Sequence, residues 1–141
     1  MTLSFTLDNT STLLVKCFGL TKDPTTQDYT LVLNYYETDL RRFLKDNYQS
    51  LTLLQKYQII RVTAFSLYKI HEQNIMHRDL HSGNILYDVN DSWYISDLGL
   101  SGPVNKQLDS IYGNLPYIAP ELLCQKNDTT KSDVYSLGII M

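Results

Sequence analysis

Apolar and polar positions divide the chain into short strands and longer amphipathic helices. Residues 13–20 (LLVKCFGL) and 28–36 (DYTLVLNYY) are apolar, β-branched and aromatic, and predict two strands. Between them, 21–27 carries Lys22-Asp23-Pro24, a turn sequence, so the pair predicts a hairpin. A short helix is expected at 39–46. The strongest period lies in 52–74, where Leu53, Tyr57, Ile60, Ala64, Leu67 and His71 recur at alternating spacings of four and three, as on one stripe of a helix. Thr52 with Gln55 fits a capping box at its start, and Asn74 fits a left-handed stop at its end. Short strands are expected at 84–88 and 93–96, joined by a turn over 89–92. Residues 97–121 are punctuated by Gly, Pro and Asn and predict a long structured loop. A last apolar helix opens near Lys131 and continues to Met141. Residues 1–12, rich in Thr and Ser, stay unassigned.

Composition narrows the class. The 141 residues suggest one domain, and 43% hydrophobic with 19% charged residues is ordinary for a globular chain. A disordered tail, a collagen-like repeat and a disulfide scaffold are excluded. Net charge is −3 and no basic run could neutralise a row of phosphates, so no nucleic-acid partner is expected. Eleven tyrosines against one tryptophan point to amphipathic packing. Cys17 and Cys124 stand apart in apolar surroundings, as expected of buried thiols in a reducing compartment. The first residues lack a basic, then apolar leader, and no apolar run approaches a membrane span. The expectation is an intracellular, cytoplasmic protein with no membrane partner.

The chemistry is carried by motifs in a fixed order. His77-Arg78-Asp79-Leu80 follows the long helix, Asn84 stands five positions after Asp79, and the short hairpin then delivers Asp97-Leu98-Gly99. Ala119-Pro120-Glu121 closes the loop, and Asp133-Val134-Tyr135-Ser136-Leu137-Gly138 opens the last helix. Each motif alone is weak. In this order and spacing they resemble the eukaryotic protein kinase domain, nearest its tyrosine-kinase-like branch, over residues 13–141.

That resemblance implies an α+β protein-kinase-like fold, mostly the helical lobe with two strands of the smaller lobe and the hinge. It implies transfer of the ATP γ-phosphate to a protein hydroxyl, with serine or threonine the expected acceptor, although His81-Ser82-Gly83 matches neither group's usual loop. Such a transfer needs a divalent cation to neutralise the triphosphate and a carboxylate to orient the attacking hydroxyl. Asn84 and Asp97, at one end of the short hairpin, are the expected oxygen ligands for Mg²⁺. Asp79 is the expected proton acceptor. By the same resemblance Leu33 is a gatekeeper behind adenine, Asn34, Tyr35 and Tyr36 form the hinge, and Leu86 supplies part of the pocket floor. Arg78 is expected to couple the site to a phosphate on the activation loop, with Ser101, Ser110 and Tyr112 as candidates. Leu80 and Leu98 pack behind the site, and Glu121 and Asp133 anchor the substrate platform.

Several positions depart from the pattern. His81 stands where serine/threonine kinases usually place a lysine that reaches the transferred phosphate, which reduces the fixed charge of any contact His81 makes there. Leu98 replaces a phenylalanine, and Asn114 a threonine that bonds the catalytic loop. No glycine-rich loop, strand lysine or helix glutamate precedes Leu13, and Lys16 is misplaced for that lysine. Glu121 would lack its family arginine partner. With a whole domain of roughly 250 residues, the sequence is expected to be a partial kinase domain and, by itself, a poor catalyst. Two other readings remain open. One is a catalytically inactive, pseudokinase-like binding module. The other is a small-molecule kinase of the aminoglycoside or choline type, whose His-x-Asp-Leu-His-x-Gly-Asn loop is matched by His77, Asp79, Leu80, His81, Gly83 and Asn84.

Overall fold

In the computed structural model, which describes residues 14–90, 92–103, 113–124 and 129–141, the chain opens with an antiparallel hairpin. Strands β1 (Cys17–Lys22) and β2 (Tyr29–Leu33) pair from Cys17 opposite Leu33 to Lys22 opposite Tyr29, with a bulge between Cys17 and Gly19. The turn is held by Asp23, whose Oδ1 accepts the N–H groups of Thr25 (2.6 Å) and Thr26 (3.1 Å). The first strand starts later than its apolar run because residues 14 and 15 leave the hairpin for another sheet. Leu14 bridges Ile95, and the Val15 N–H donates to the Ile95 carbonyl at 3.0 Å. The second strand stops at Leu33, after which Tyr36 packs its ring on Tyr94 with centroids 5.3 Å apart.

Strand β3 (Thr38–Asp39) leads directly into helix α1 (Leu40–Asn47), and the Asp39 side chain caps it by accepting the Arg42 N–H at 3.0 Å. Helix α2 (Leu53–Glu72) carries the full capping box from Thr52 and Gln55, and Asn74 adopts φ +56° just past its end. The predicted stripe is buried in part: Leu67 is buried and Ile60, Ala64 and His71 are half-buried. Ile59, Thr63, Ser66, Leu67 and Ile70 are buried, whereas Leu53 and Tyr57 are 83% and 61% exposed. The buried face is centred about one residue earlier in the turn, and its two hydroxyls need no outside partner. Thr63 donates to the Ile59 carbonyl at 2.8 Å and Ser66 to that of Val62 at 2.9 Å, so both tolerate burial.

Strands β4 (Ile75–Met76) and β7 (Gly102–Pro103) pair with each other and bracket the segment that holds the expected catalytic residues. Strands β5 (Ile85–Tyr87) and β6 (Trp93–Ile95) form the second hairpin and join β3 in a three-stranded antiparallel sheet of order β3-β5-β6. Asp88 makes its turn, accepting the N–H groups of Asn90 (2.9 Å) and Ser92 (3.3 Å) on one oxygen. Helix α3 (Pro120–Leu123) is short, and α4 (Thr130–Ile140) starts on a capping box of Thr129 and Ser132. Within the stretch expected as a loop, the described parts contain β7, a 3₁₀ turn at Leu115–Tyr117 and α3.

Leu40, Ile59, Leu67, Ile70, Leu80, Ile95 and Leu137 gather α1, α2, α4 and the sheet around one core. Fully burying each such side chain contributes about 2 kcal/mol. Trp93 closes one end, edge-on to Phe43 at 5.1 Å and 4.8 Å from Tyr87 between ring centroids. The expected buried thiols are not found: Cys17 is half-buried and Cys124 exposed, the latter because it lies at the open end of the one-turn helix α3. The mixed helices and small antiparallel sheets are those of a partial kinase-like α+β fold.

Candidate active site

Side chains hold the segment from His77 to His81, and a 3₁₀ turn at Ser82–Asn84 follows it. His77 has no exposed surface; its Nε2 donates to the Ser96 carbonyl at 3.0 Å, and its Nδ1 accepts the Asp79 N–H at 3.3 Å. Each ring nitrogen therefore has a fixed role, and the imidazole is neutral. Burial drives its pKa below the usual histidine range, against the raising influence of Asp133. The Ser101 hydroxyl donates to the His77 carbonyl at 3.1 Å, which ties the start of the catalytic segment to the strand β7 region.

Asp133, at the start of α4, receives the two next amides. Its Oδ2 accepts the His77 N–H (2.9 Å) and the His71 Nε2–H (2.8 Å), and its Oδ1 accepts the Arg78 N–H (2.8 Å). Burial by itself would raise the Asp133 pKa, but the bonds from His71, Arg78 and His77 together outweigh it and hold the carboxyl below its ordinary value. Asp133 thus anchors the backbone of His77 and Arg78 and the His71 ring. His71 is its partner rather than a member of an apolar stripe; the available signal was a polar ring on an otherwise apolar helical face.

Arg78 adopts φ +70° and Asp97 φ +60°, both in the left-handed region that side-chain-bearing residues seldom occupy. Such strain collects at functional positions. The Arg78 guanidinium reaches the chain near β7, donating to the carbonyls of Leu100 (3.5 Å) and Pro103 (3.0 Å). Among the described residues, these two bonds tie Arg78 to the chain on either side of Gly102. Ser101 is buried with its hydroxyl engaged, so it is not an accessible phosphate acceptor. Ser110 and Tyr112 lie outside the described residues.

The three expected catalytic side chains are linked through the backbone. Asn84 Nδ2 donates to the Asp79 carbonyl at 2.9 Å, which leaves Asn84 Oδ1 as the acceptor end of the amide. Ser96 donates twice to the Asn84 carbonyl, from N at 2.8 Å and from Oγ at 3.1 Å, and Asp97 follows it. The exposed Asp97 accepts the Gly99 N–H at 3.2 Å. Asp79 Oδ1 lies against Gly113, where an added Cβ would come within 3.2 Å of it. The φ of +111° at Gly113 further restricts that position to glycine. This contact was not legible in the sequence.

A cavity of about 370 Å³ holds part of this set together. Asn84, Asp97, Leu33 and Leu86 line it with Val15 and Leu98. That volume lies in the range of small-molecule sites. Of the side-chain oxygens that line it, those of Asn84 and Asp97 suit a hard cation such as Mg²⁺, while the Ser96 hydroxyl is already bonded to the Asn84 carbonyl. Asn34 and Tyr36 follow β2 outside the residues that line the cavity, with the Asn34 N–H donated to the Lys16 carbonyl at 2.9 Å. Lys16 places its Nζ over the Phe18 ring, 5.0 Å from the centroid. Leu80 and Leu98 are buried, and Glu121 stands in the first turn of α3. His81 sits beside Asp79, with Nε2 3.9 Å from Oδ2.

Known proteins resemble the chain over most of its length. The family profile described as Protein kinase domain matches residues 5–141. The L-type lectin-domain containing receptor kinase V.7 of Arabidopsis thaliana is 36% identical over 103 residues, covering 68% of this chain and 16% of that protein. The Receptor like protein kinase S.3 of the same plant is 35% identical over 92 residues, 65% of this chain and 27% of that protein. A third relative from Arabidopsis thaliana, described as "Probable LRR receptor-like serine/threonine-protein kinase", is 35% identical over 102 residues, 67% of this chain and 11% of its own length. The chain thus spans about a quarter or less of the length of these relatives.

Proposed function

The chain belongs to the protein kinase domain family, and from that premise we propose that it transfers the γ-phosphate of ATP to a serine or threonine hydroxyl of a protein. The observation that carries this reading is the bonded unit of Asp79, Asn84 and Asp97, two of whose members open on a cavity walled by Leu33 and Leu86. Asp79 accepts the proton of the attacking hydroxyl, whose oxygen forms the new bond to phosphorus. The bond from phosphorus to the bridging oxygen breaks, and ADP leaves with that electron pair. Asn84 and Asp97 are the residues that would hold Mg²⁺, which neutralises phosphate charge when bound. The relative named as a serine/threonine kinase supports the choice of acceptor. An ATP-using reaction of this kind places the domain in an intracellular, ATP-containing compartment.

ATP-dependent phosphorylation of a generic protein acceptor, measured against an Asp79→Asn control, tests the reading. Incorporation into serine or threonine that the control lacks supports it; equal incorporation by both refutes it.

A second reading, a nucleotide-binding or partner-binding module without turnover, is favoured by one observation. Among the described residues lining the cavity, none is basic, and the Lys16 ammonium lies over Phe18 instead. A triphosphate would then lack a fixed cationic clamp. Stabilisation by Mg-ATP without incorporation would select this reading.

A further inference from the structure

Two residues beyond Asp79, the His81 ring is fixed from several directions. Its Nδ1 accepts the Gly83 N–H at 3.0 Å, and its centroid lies 5.9 Å from that of Tyr117. Gly83 makes the fit possible, because a Cβ there would stand only 3.0 Å from His81 Nδ1 and Cε1. A ring nitrogen that accepts an N–H carries no proton of its own, so the neutral imidazole has its hydrogen on Nε2. That is the nitrogen 3.9 Å from Asp79 Oδ2. The other carboxylate oxygen, Oδ1, packs against Gly113.

We propose that His81 is a positioning residue for Asp79: its Nε2–H closes on Oδ2 when substrates assemble, which leaves Oδ1 to take the proton of the acceptor hydroxyl. Catalytic hydrogen bonds that are long in a free enzyme commonly shorten in the complex, and 3.9 Å leaves about 1 Å to close. A neutral N–H suits this task. It orients the carboxylate through a directed hydrogen bond without placing a full positive charge beside it. His81 acts through Asp79 rather than as a contact to the transferred phosphate.

The kinetic half of this inference rests on the phosphoryl-transfer reading; the ring geometry does not. The first measurement is the ¹⁵N spectrum of the His81 imidazole in the purified chain. A protonated Nε2 whose signal moves on Asp79→Asn is expected, and a proton on Nδ1 or an unmoved signal overturns the proposal. The second compares two variants. His81→Asn puts an amide oxygen near the place of Nδ1 and keeps the bond to Gly83, but deletes the distal N–H. Its kcat should fall about ten- to a hundredfold with KM for ATP unchanged, the effect of a misplaced catalytic group. His81→Gln, which restores a distal N–H, should recover part of the loss. An unchanged kcat in His81→Asn would reduce His81 to a turn cap, and a raised KM for ATP at constant kcat would make it a phosphate contact; both overturn the proposal. No Asp79-dependent transfer in the parent chain would refute the proposed function and the kinetic role together, while an altered His81→Asn rate in an active chain tests the positioning role alone.

Discussion

Asp133 Oδ1 accepts the backbone N–H of Arg78 at 2.8 Å, across 55 positions of sequence. The bond matters because Arg78 holds φ +70°. A left-handed backbone of that kind costs of order 1–3 kcal/mol and persists only when its surroundings fix it. One buried carboxylate, on a helix far along the chain, supplies that constraint just before Asp79.

Replacing Asp133 should therefore be severe. Asp133→Ala strands the amides of His77 and Arg78 and the His71 ring. With an unsatisfied buried donor costing about 1–3 kcal/mol, the loss should be about 3 kcal/mol. A fall in Tm of roughly 10 °C is the expected calorimetric result. His71→Ala, which spares the backbone bonds, should lower Tm less.

The pH dependence follows from two groups, His77, which is neutral in the fold, and Asp133, which is charged there. His77 stays neutral in the fold below its ordinary value of 6.5, while the unfolded chain takes up a proton there. Stability should therefore begin to fall as pH drops through about 6.5. Asp133 keeps its charge in the fold below 3.8, so its contribution is complete above that value and is lost as pH falls through the lowered folded pKa. Denaturant melts between pH 8 and pH 3 should show both losses, the histidine's first. His77→Gln should remove the earlier one.

Gly113→Ala should separate catalysis from nucleotide binding. The added methyl would meet Asp79 Oδ1 at 3.2 Å in a backbone that alanine resists at φ +111°. A displaced carboxylate should cost turnover about tenfold or more. The Mg-ATP thermal shift should remain, since Gly113 does not line the cavity of Asn84 and Asp97.

Asp97→Asn, unlike Gly113→Ala, should remove the nucleotide-dependent shift itself. Binding at a hundredfold excess over Kd stabilises by about 2.7 kcal/mol, a shift of several degrees. That shift should vanish in the variant if Asp97 holds the cation that accompanies ATP. Calorimetry with and without Mg-ATP measures it directly.

Local order was the most legible part of the sequence. Thr52, Gln55 and Asn74 mark the limits of α2 by hydrogen-bond chemistry that needs no tertiary context. The rotation of that helix was not legible, because Thr63 and Ser66 look polar until their hydroxyls are seen bonded to their own backbone. In the site, the motif order brought Asp79, Asn84 and Asp97 to notice, and the structure links them through Ser96 and the Asp79 carbonyl. The bond of His71 and the contact of Gly113 were not legible because their partners, Asp133 and Asp79, lie far away in sequence. Ser101 looked like an exposed loop hydroxyl, and only the pairing of β7 with β4 shows why it is buried.

The double donation from Ser96 to the Asn84 carbonyl fixes the backbone between Asn84 and Asp97, the two residues proposed to hold Mg²⁺, before any ion arrives. Folding has already removed the freedom that a loose pair of loops would surrender on capture. Differences in cation affinity among variants at positions 84 and 97 should thus report the chemistry of the donor atoms. Variants at Ser96 should report the ordering cost itself: Ser96→Ala keeps both ligands yet should bind the cation more weakly, because part of the alignment must then be made at the moment of binding.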